Sequence, residues 1–182
     1  MGEVMEERMI FAGAGGQGLM LLGKLVAQAA SNDGLNVTFF PSYGAEVRGG
    51  TAHCHVVVSD GEIYSPLVEK AASMIVMNQP SLDRFLEVLA PGGLVVLNTS
   101  LAAAPESLDG AIVSVPATDI ANELGNIRVA NMVLLGALNG ARHLIRDKTI
   151  IRTFEGFTGK VRPEIVKVNI EAYKRGRSLA AK

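Results

Sequence analysis

The chain has 182 residues, 48 % of them apolar, with 17 Lys/Arg against 18 Asp/Glu and a single cysteine. That length supports one domain with a sizeable core, and one thiol excludes an internal disulfide or a cluster held by several thiolates of this chain. No apolar run approaches the roughly 18 residues of a membrane span, and the acidic start MGEVMEERMIF has the wrong sign for a secretory signal, so a soluble cytoplasmic protein is expected.

The near-neutral total hides an asymmetry. Residues 142–182 hold 11 Lys/Arg against 4 Asp/Glu, whereas residues 1–141 hold 6 against 14. A basic end steers an anionic ligand, docks on an acidic partner subunit, or is an ordinary charged helix face. Nucleic acid is disfavoured, because no interleaving of aromatic and basic residues accompanies the charge.

In chain order, RMIFA (8–12) reads as a first strand, and GAGGQG (13–18) leads into the apolar helical run LMLLGKLVAQAA (19–30). Leu21, Leu22, Leu25, Val26 and Ala29 recur at helical spacing, and Asp33-Gly34 ends the run. NVTFF (36–40) is a second strand stopped by Pro41, which gives the β-loop-α-β opening of a parallel sheet. AHCHVVV (52–58) and EIYSP (62–66) flank Ser59-Asp60-Gly61, a hairpin signal, and the unbroken VVV run marks a strand buried on both faces.

SMIVMN (73–78), LVVLN (94–98) after a Pro91-Gly92-Gly93 turn, and AIVSVP (111–116) read as further strands, with PSLDRFLEVL (80–89) as a short helix opened by Pro80. A helix after Asp119 breaks near Gly125. RVANMVLLGALNGA (128–141) is a long apolar helix whose small residues Ala130, Gly136, Ala137, Gly140 and Ala141 allow close packing. KTIIRTFEGF (148–157) and PEIVKVNIEAYKRG (163–176) close the chain as helices, with Val166, Ile170 and Tyr173 on one face of the last. No repeat or linker divides residues 1–182. The expected fold is a single α/β domain, three-layered and Rossmann-like, with a mixed sheet containing a β-hairpin insertion and a helical C-terminal third.

Three groups of residues are candidates for chemistry. Gly13, Gly15, Gly16, Gln17 and Gly18 fit G-x-G-x-x-G between a strand and a helix, where unpaired N–H groups attract an anion such as a phosphate. A dinucleotide also wants an acidic residue at the end of the second strand, and Phe39-Phe40-Pro41-Ser42 offers none. A tight turn without a ligand is the alternative. His53 and His55 point to one strand face and Cys54 to the other, so the three do not converge on a metal, and a thiol in an apolar strand is more often inert packing than a nucleophile. In the loop YGAEVRGG (43–50), Glu46 and Arg48 form either a local ion pair or contacts across an interface, and Tyr43 is a residue type enriched at interfaces.

GAGGQG (13–18), FFPSYGAEVRGGTAHCHVVVSD (39–60), SP (65–66), MNQPSLDRF (77–85), PGGLVVLN (91–98) and VPATDIANELGNIRVANMVLLGAL (115–138) together carry a resemblance covering most of the chain. The sequence resembles the gamma subunit, or gamma-equivalent domain, of the 2-oxoacid:ferredoxin (acceptor) oxidoreductases. The resemblance implies a complex in which a 2-oxoacid is decarboxylated on thiamine diphosphate with Mg2+. The acyl group then passes to coenzyme A, and electrons leave through iron–sulfur clusters to ferredoxin or a related acceptor. Alpha and beta subunits, with a delta chain in some complexes, hold those groups.

On that resemblance this chain by itself is expected to hold no cofactor, metal or catalytic residue. Gly13, Gly15, Gly16, Gln17 and Gly18 match the family's first loop, with the implied duties of shaping the interface and helping to present coenzyme A. Tyr43, Gly44, Glu46, Arg48, Gly49 and Gly50 match its second, as interface or shared-ligand residues. The implied branch is 2-oxoglutarate, with branched-chain 2-oxoacid, pyruvate and indolepyruvate enzymes as alternatives. Family members often carry an acid just before the strand at 73–78, where this chain reads Glu69-Lys70-Ala71-Ala72-Ser73. Rival readings are a stand-alone nucleotide-dependent dehydrogenase and a non-catalytic module for coenzyme A or another phosphorylated metabolite. Isolated from its partners, the chain is free to pair with a second copy.

Overall fold

The computed structural model describes residues 5–42, 51–157 and 162–180. Six strands, β1 (Glu6–Ala14), β2 (Asn36–Ser42), β3 (Thr51–Ser59), β4 (Ala71–Val76), β5 (Leu89–Asn98) and β6 (Gly110–Val115), form one sheet among the described residues, in the order β2-β3-β1-β4-β5-β6. β1, β4, β5 and β6 pair in parallel, whereas β3 is antiparallel to both β1 and β2. The mixed α/β sheet expected from the sequence is therefore present.

The antiparallel part is built from other partners than expected. Residues 62–66 form no strand, because both edges of β3 are already taken, Val57 facing Arg8 on one side and Thr38 on the other. The Asp60 turn is instead tied down by the chain start, with Asp60 N–H donating to the Met5 carbonyl at 3.1 Å and Met5 N–H to Asp60 Oδ1 at 2.9 Å. β2 also does not lie beside β1 as a simple β-α-β unit would place it. Pro41, expected to stop β2, lies within it opposite Cys54, which is tolerated because β2 is an edge strand.

The faces of the sheet are covered unequally. Helix α1 (Leu19–Asn32) and the C-terminal helices α3 (Ala117–Glu123), α4 (Ala130–Arg142), α5 (Asp147–Phe157) and α6 (Pro163–Leu179) bury one large core with Met9, Phe11, Val56 and Val58. The other face buries Ile10, Ala12, Val57 and Val95 beneath α2 (Gln79–Phe85) and two loops, through Leu82, Phe85, Val68 and Ala102. Val56, Val57 and Val58 are wholly buried, as their continuous run implies, and each such side chain is worth about 1.5–3 kcal/mol on leaving water. In α1 the buried stripe is Leu22, Leu25, Val26 and Ala29, while Leu21 is 49 % exposed.

α4 lies between the sheet and α6, and its small residues set the distance. A Cβ on Gly136 would stand 2.7 Å from the Arg177 nitrogen, and one on Gly176 2.7 Å from the Val133 carbonyl carbon. Beside that contact Asn139 Nδ2 donates to Tyr173 Oη at 2.9 Å and to Asp147 Oδ1 at 3.0 Å, and Tyr173 Oη donates to the same carboxylate. These bonds tie α4, α5 and α6 together.

Four arginines of the basic C-terminal part are paired within the molecule. Arg142 pairs with Glu7 at 3.3 Å, Arg146 with Asp33 at 2.7 Å, Arg175 with Glu123 at 2.8 Å and Arg177 with Asp147 at 3.2 Å. At the start of β4, Ser73 donates to Glu7 and accepts from Arg142 Nε at 2.8 Å. A carboxylate of β1 therefore meets the start of β4.

Candidate functional site: the carboxyl edge of the sheet

β1 delivers Gly13–Gly18 to the edge where β1, β4 and β5 all end. The loop is closed by its own polar groups: Ala14 N–H donates to Gln17 Oε1 at 2.7 Å and Gln17 N–H to the Ala14 carbonyl at 3.3 Å. A Cβ on Gly13 would stand 2.5 Å from Gln17 Oε1 and 2.7 Å from Met77 Cβ, so the first glycine serves close packing. Gly16 has φ +89° with open space above it, a backbone state that glycine adopts without strain.

Gly18, φ +78°, caps α1, and a Cβ there would meet Asn131 Nδ2, which donates to the Gly18 carbonyl at 3.2 Å. The first turn of α1 has neither an acidic residue nor a side-chain cap, which leaves its first N–H groups without intrahelical acceptors and the helix end favourable to an anion.

The position of this loop in the sheet matters as much as its glycines. α1, after β1, packs on one face and α2, after β4, on the other, so the chain changes side between β1 and β4, where open α/β sheets hold ligands. Two hollows flank Gly16. One, of about 270 Å³, is bounded by Gly15, Leu19, Leu21, Ser42 and Ala52, and the other, of about 200 Å³, by Gln17, Met77, Leu101, Thr118, Ile127 and Arg128.

Tyr43, Gly44, Glu46, Arg48, Gly49 and Gly50 lie outside the described residues. Their flanking strands are described, and Thr51 pairs with Ala14 while Ser42 pairs with His53. The two loops singled out in the sequence are therefore rooted at one edge.

The inserted β3 also weighs against a dinucleotide. The end of β2, where a ribose-binding carboxylate would sit, is two strand spacings from β1, roughly 10 Å instead of 5, and it carries Ser42.

His53 and His55 share a face with ring centroids 5.5 Å apart, and Cys54 points the other way into the large core, as the strand period requires. His55 Nδ1 accepts from Val68 N–H at 2.9 Å, and His53 packs on Phe85 with centroids 4.7 Å apart. Burial, then the neighbouring His55 and Arg84, push the His53 imidazole down to about 4. Burial pushes the Cys54 thiol up to about 12, the opposite of an activated nucleophile. Among the described residues no three His, Cys, Asp or Glu side chains converge on a common point.

Two side chains at the edge escaped the sequence reading. Asn98, fully buried at the end of β5, donates to the Met77 carbonyl at 3.1 Å and Thr118 Oγ1 at 2.9 Å, and accepts from the N–H groups of Ala117 and Thr118 at 3.1 and 3.3 Å. It caps α3 from another strand and braces the floor of the second hollow. The available signal was an asparagine closing the apolar run LVVLN. Arg128 stands at the rim of the same hollow, about 110 residues from the glycine loop, and no local pattern links the two.

The glycine loop thus sits at the switch point of a mixed α/β sheet, the place where open sheets of this class hold ligands. Residues 8–179 match the family model described as pyruvate ferredoxin/flavodoxin oxidoreductase, and the chain belongs to that family. It is 35 % identical over 180 residues to the ketoisovalerate oxidoreductase subunit VorA of Methanothermobacter marburgensis, covering 99 % of this chain and 38 % of that one. It is 33 % identical over 183 residues to the 2-oxoglutarate synthase subunit KorC of the same organism, covering 96 % and 97 %. The crystal structure of the gamma subunit of a keto/oxoacid ferredoxin oxidoreductase from Geobacter sulfurreducens superimposes with a TM-score of 0.83 at 27 % identity, over 96 % of this chain and 98 % of that one. The chain thus spans about two fifths of the length of VorA and nearly all of KorC. No helix among the described residues is long and apolar enough to cross a membrane.

Proposed function

We propose that this chain is the gamma component of a thiamine-diphosphate-dependent 2-oxoacid:ferredoxin oxidoreductase that forms an acyl-coenzyme A. The observation that carries the reading is the carboxyl edge of the sheet. A glycine loop there leads into the start of α1, whose first N–H groups have no intrahelical acceptor, beside the roots of a second loop whose sequence also resembles the family's. Such an edge holds and orients an anionic ligand, of which the phosphate-bearing coenzyme A is the one the reaction requires. The closed Gln17 turn fixes the loop's shape before any ligand arrives, and Asn98 fixes the floor of the hollow beside it.

The partners would hold thiamine diphosphate, Mg2+ and the iron–sulfur clusters. Among the described residues no three His, Cys, Asp or Glu side chains converge to hold them, the one cysteine is buried in the core with its thiol pushed up to about 12, and His55 already accepts a backbone hydrogen bond. Its share of the chemistry is to complete the enclosure around the reacting acyl group. The 2-oxoacid is read as 2-oxoglutarate, the acid in KorC's name. Likeness to VorA of the same order favours a branched-chain 2-oxoacid as the second reading.

The test is reconstitution. Alpha and beta components of the enzyme, purified with their cofactors, should reduce ferredoxin in the presence of a 2-oxoacid and coenzyme A only when this chain is added. Rates on 2-oxoglutarate, 2-oxoisovalerate, pyruvate and indolepyruvate would rank the substrates. Full turnover without this chain, or by this chain alone, would overturn the assignment.

A further inference from the structure

Arg128 differs from four arginines of the C-terminal part. Arg142, Arg146, Arg175 and Arg177 each meet a carboxylate of this chain, whereas the Arg128 guanidinium has no ion pair among the described residues. The carboxylate at the start of α3, Asp119, is engaged with Ser100 at 2.9 Å. Arg128 is nevertheless held in place. It lies in the tight turn Ile127–Val129, its N–H donates to Asn126 Oδ1 at 3.1 Å, and Val129 anchors the turn in the core at 2 % exposure. The turn therefore displays Ile127 and Arg128 outward from a fixed base.

The surroundings are apolar and uncovered. Ile127 is 59 % exposed and Leu101, across the hollow, 45 %. On the far side of Gly16 the band continues to Leu21 at 49 %. Adjoining exposed apolar groups at one edge mark an interaction surface, and arginine is among the residue types enriched at the energetic centres of protein interfaces. A hollow of about 200 Å³ is below the range of small-molecule sites, roughly 300–1,000 Å³, and suits one inserted side chain. VorA carries the matching unit within a chain more than twice as long. A surface that is free here would there lie within reach of further polypeptide.

We propose that Arg128, flanked by Leu101 and Ile127, is the docking point for an acidic side chain of a partner subunit, which enters the hollow between Thr118 and Gln17. The inference rests on the assignment of this chain as one component of a multisubunit oxidoreductase.

The experiment uses the co-expressed complex. Subunit affinity is measured by native mass spectrometry and sedimentation for the wild type, Arg128→Glu and Ile127→Asp. Arg128→Lys is treated with a carbodiimide, which joins an amine to a carboxylate in direct contact. Circular dichroism and urea midpoints of each isolated chain separate docking from folding.

Removing one member of a desolvated charge pair weakens association by about ten-fold or more, so Arg128→Glu should lose at least that much, and Ile127→Asp, which sets a like charge beside the incoming acid, should also weaken assembly, both with unchanged midpoints. The introduced amine should couple to an Asp or Glu of another subunit. Unchanged affinity in Arg128→Glu with no coupling would overturn the proposal while leaving the assignment intact. Isolated wild type binding inorganic phosphate or a 2-oxoacid through Arg128, with assembly unaffected by the mutation, would make the hollow a ligand site and also overturn it. Failure of the wild type itself to assemble would remove both readings.

Discussion

Gly176→Ala tests the packing that orders the C-terminal helices. In an isolated helix the change stabilises by about 1 kcal/mol. Here the added Cβ would stand 2.7 Å from the Val133 carbonyl carbon and closer still to its oxygen. Ordinary contact begins near 3.4 Å, so α4 and α6 must separate by at least about 0.7 Å. Neither obstacle is the end of a flexible side chain, so the backbone itself has to move. A gap of 0.5–1 Å forfeits roughly a quarter to a half of each contact's dispersion energy, along a helix whose Met132, Val133, Leu134, Leu135 and Leu138 are all at most 2 % exposed. Overpacking of this kind costs about 1–3 kcal/mol even where side chains can yield.

A net loss of about 2–4 kcal/mol is expected, which lowers the Tm of a chain this size by roughly 5–15 °C. Gly156→Ala in α5 is the matched control, because nothing lies within 4 Å of a Cβ there. It should leave stability unchanged or raise it by up to about 1 kcal/mol. Urea and thermal unfolding of the two purified variants decide the matter. Gly176→Ala as stable as Gly156→Ala would refute the reasoning.

Two further outcomes follow from buried titratable groups. Because the folded state holds His53 down to about 4 while an unfolded histidine titrates near 6.5, the unfolded chain binds the extra proton between those values. Stability is then complete above about pH 6.5 and falls as the pH drops toward 4. His53→Gln should flatten Tm against pH over that window, leaving the smaller contribution of His55, which burial also pushes down; equal slopes in mutant and wild type would contradict the burial argument. Cys54, wholly buried with its thiol pushed up to about 12, should resist iodoacetamide at pH 8 in the folded protein and react at a rate that tracks unfolding in urea; fast native labelling would show the strand exposed.

The sequence alone determined the local elements, because side-chain periodicity and turn residues act over a few positions. The strands around Met9–Ala12, Met74–Val76, Leu94–Asn98 and Ile112–Val115, the helices α1, α4 and α6, and the strand-loop-helix setting of Gly13–Gly18 were all legible there. The opposed faces of His53 and Cys54 followed from the strand period. Tertiary structure decided which strand neighbours which. The apolar run of β3 records that it is buried, and nothing in it names β2 and β1 as the strands on either side. The turn at Asp60-Gly61 reads locally as half a hairpin, yet no edge of β3 was left for residues 62–66 to join. The same non-local pairing carried β2 to an edge, where Pro41 costs no ladder bond, and moved its end away from the glycine loop. Tertiary structure also supplied Glu7 to Ser73, Asn98 to the start of α3 and Arg128 to the rim beside Gly16. Each joins residues far apart in the chain, and such contacts form only once the sheet order is set.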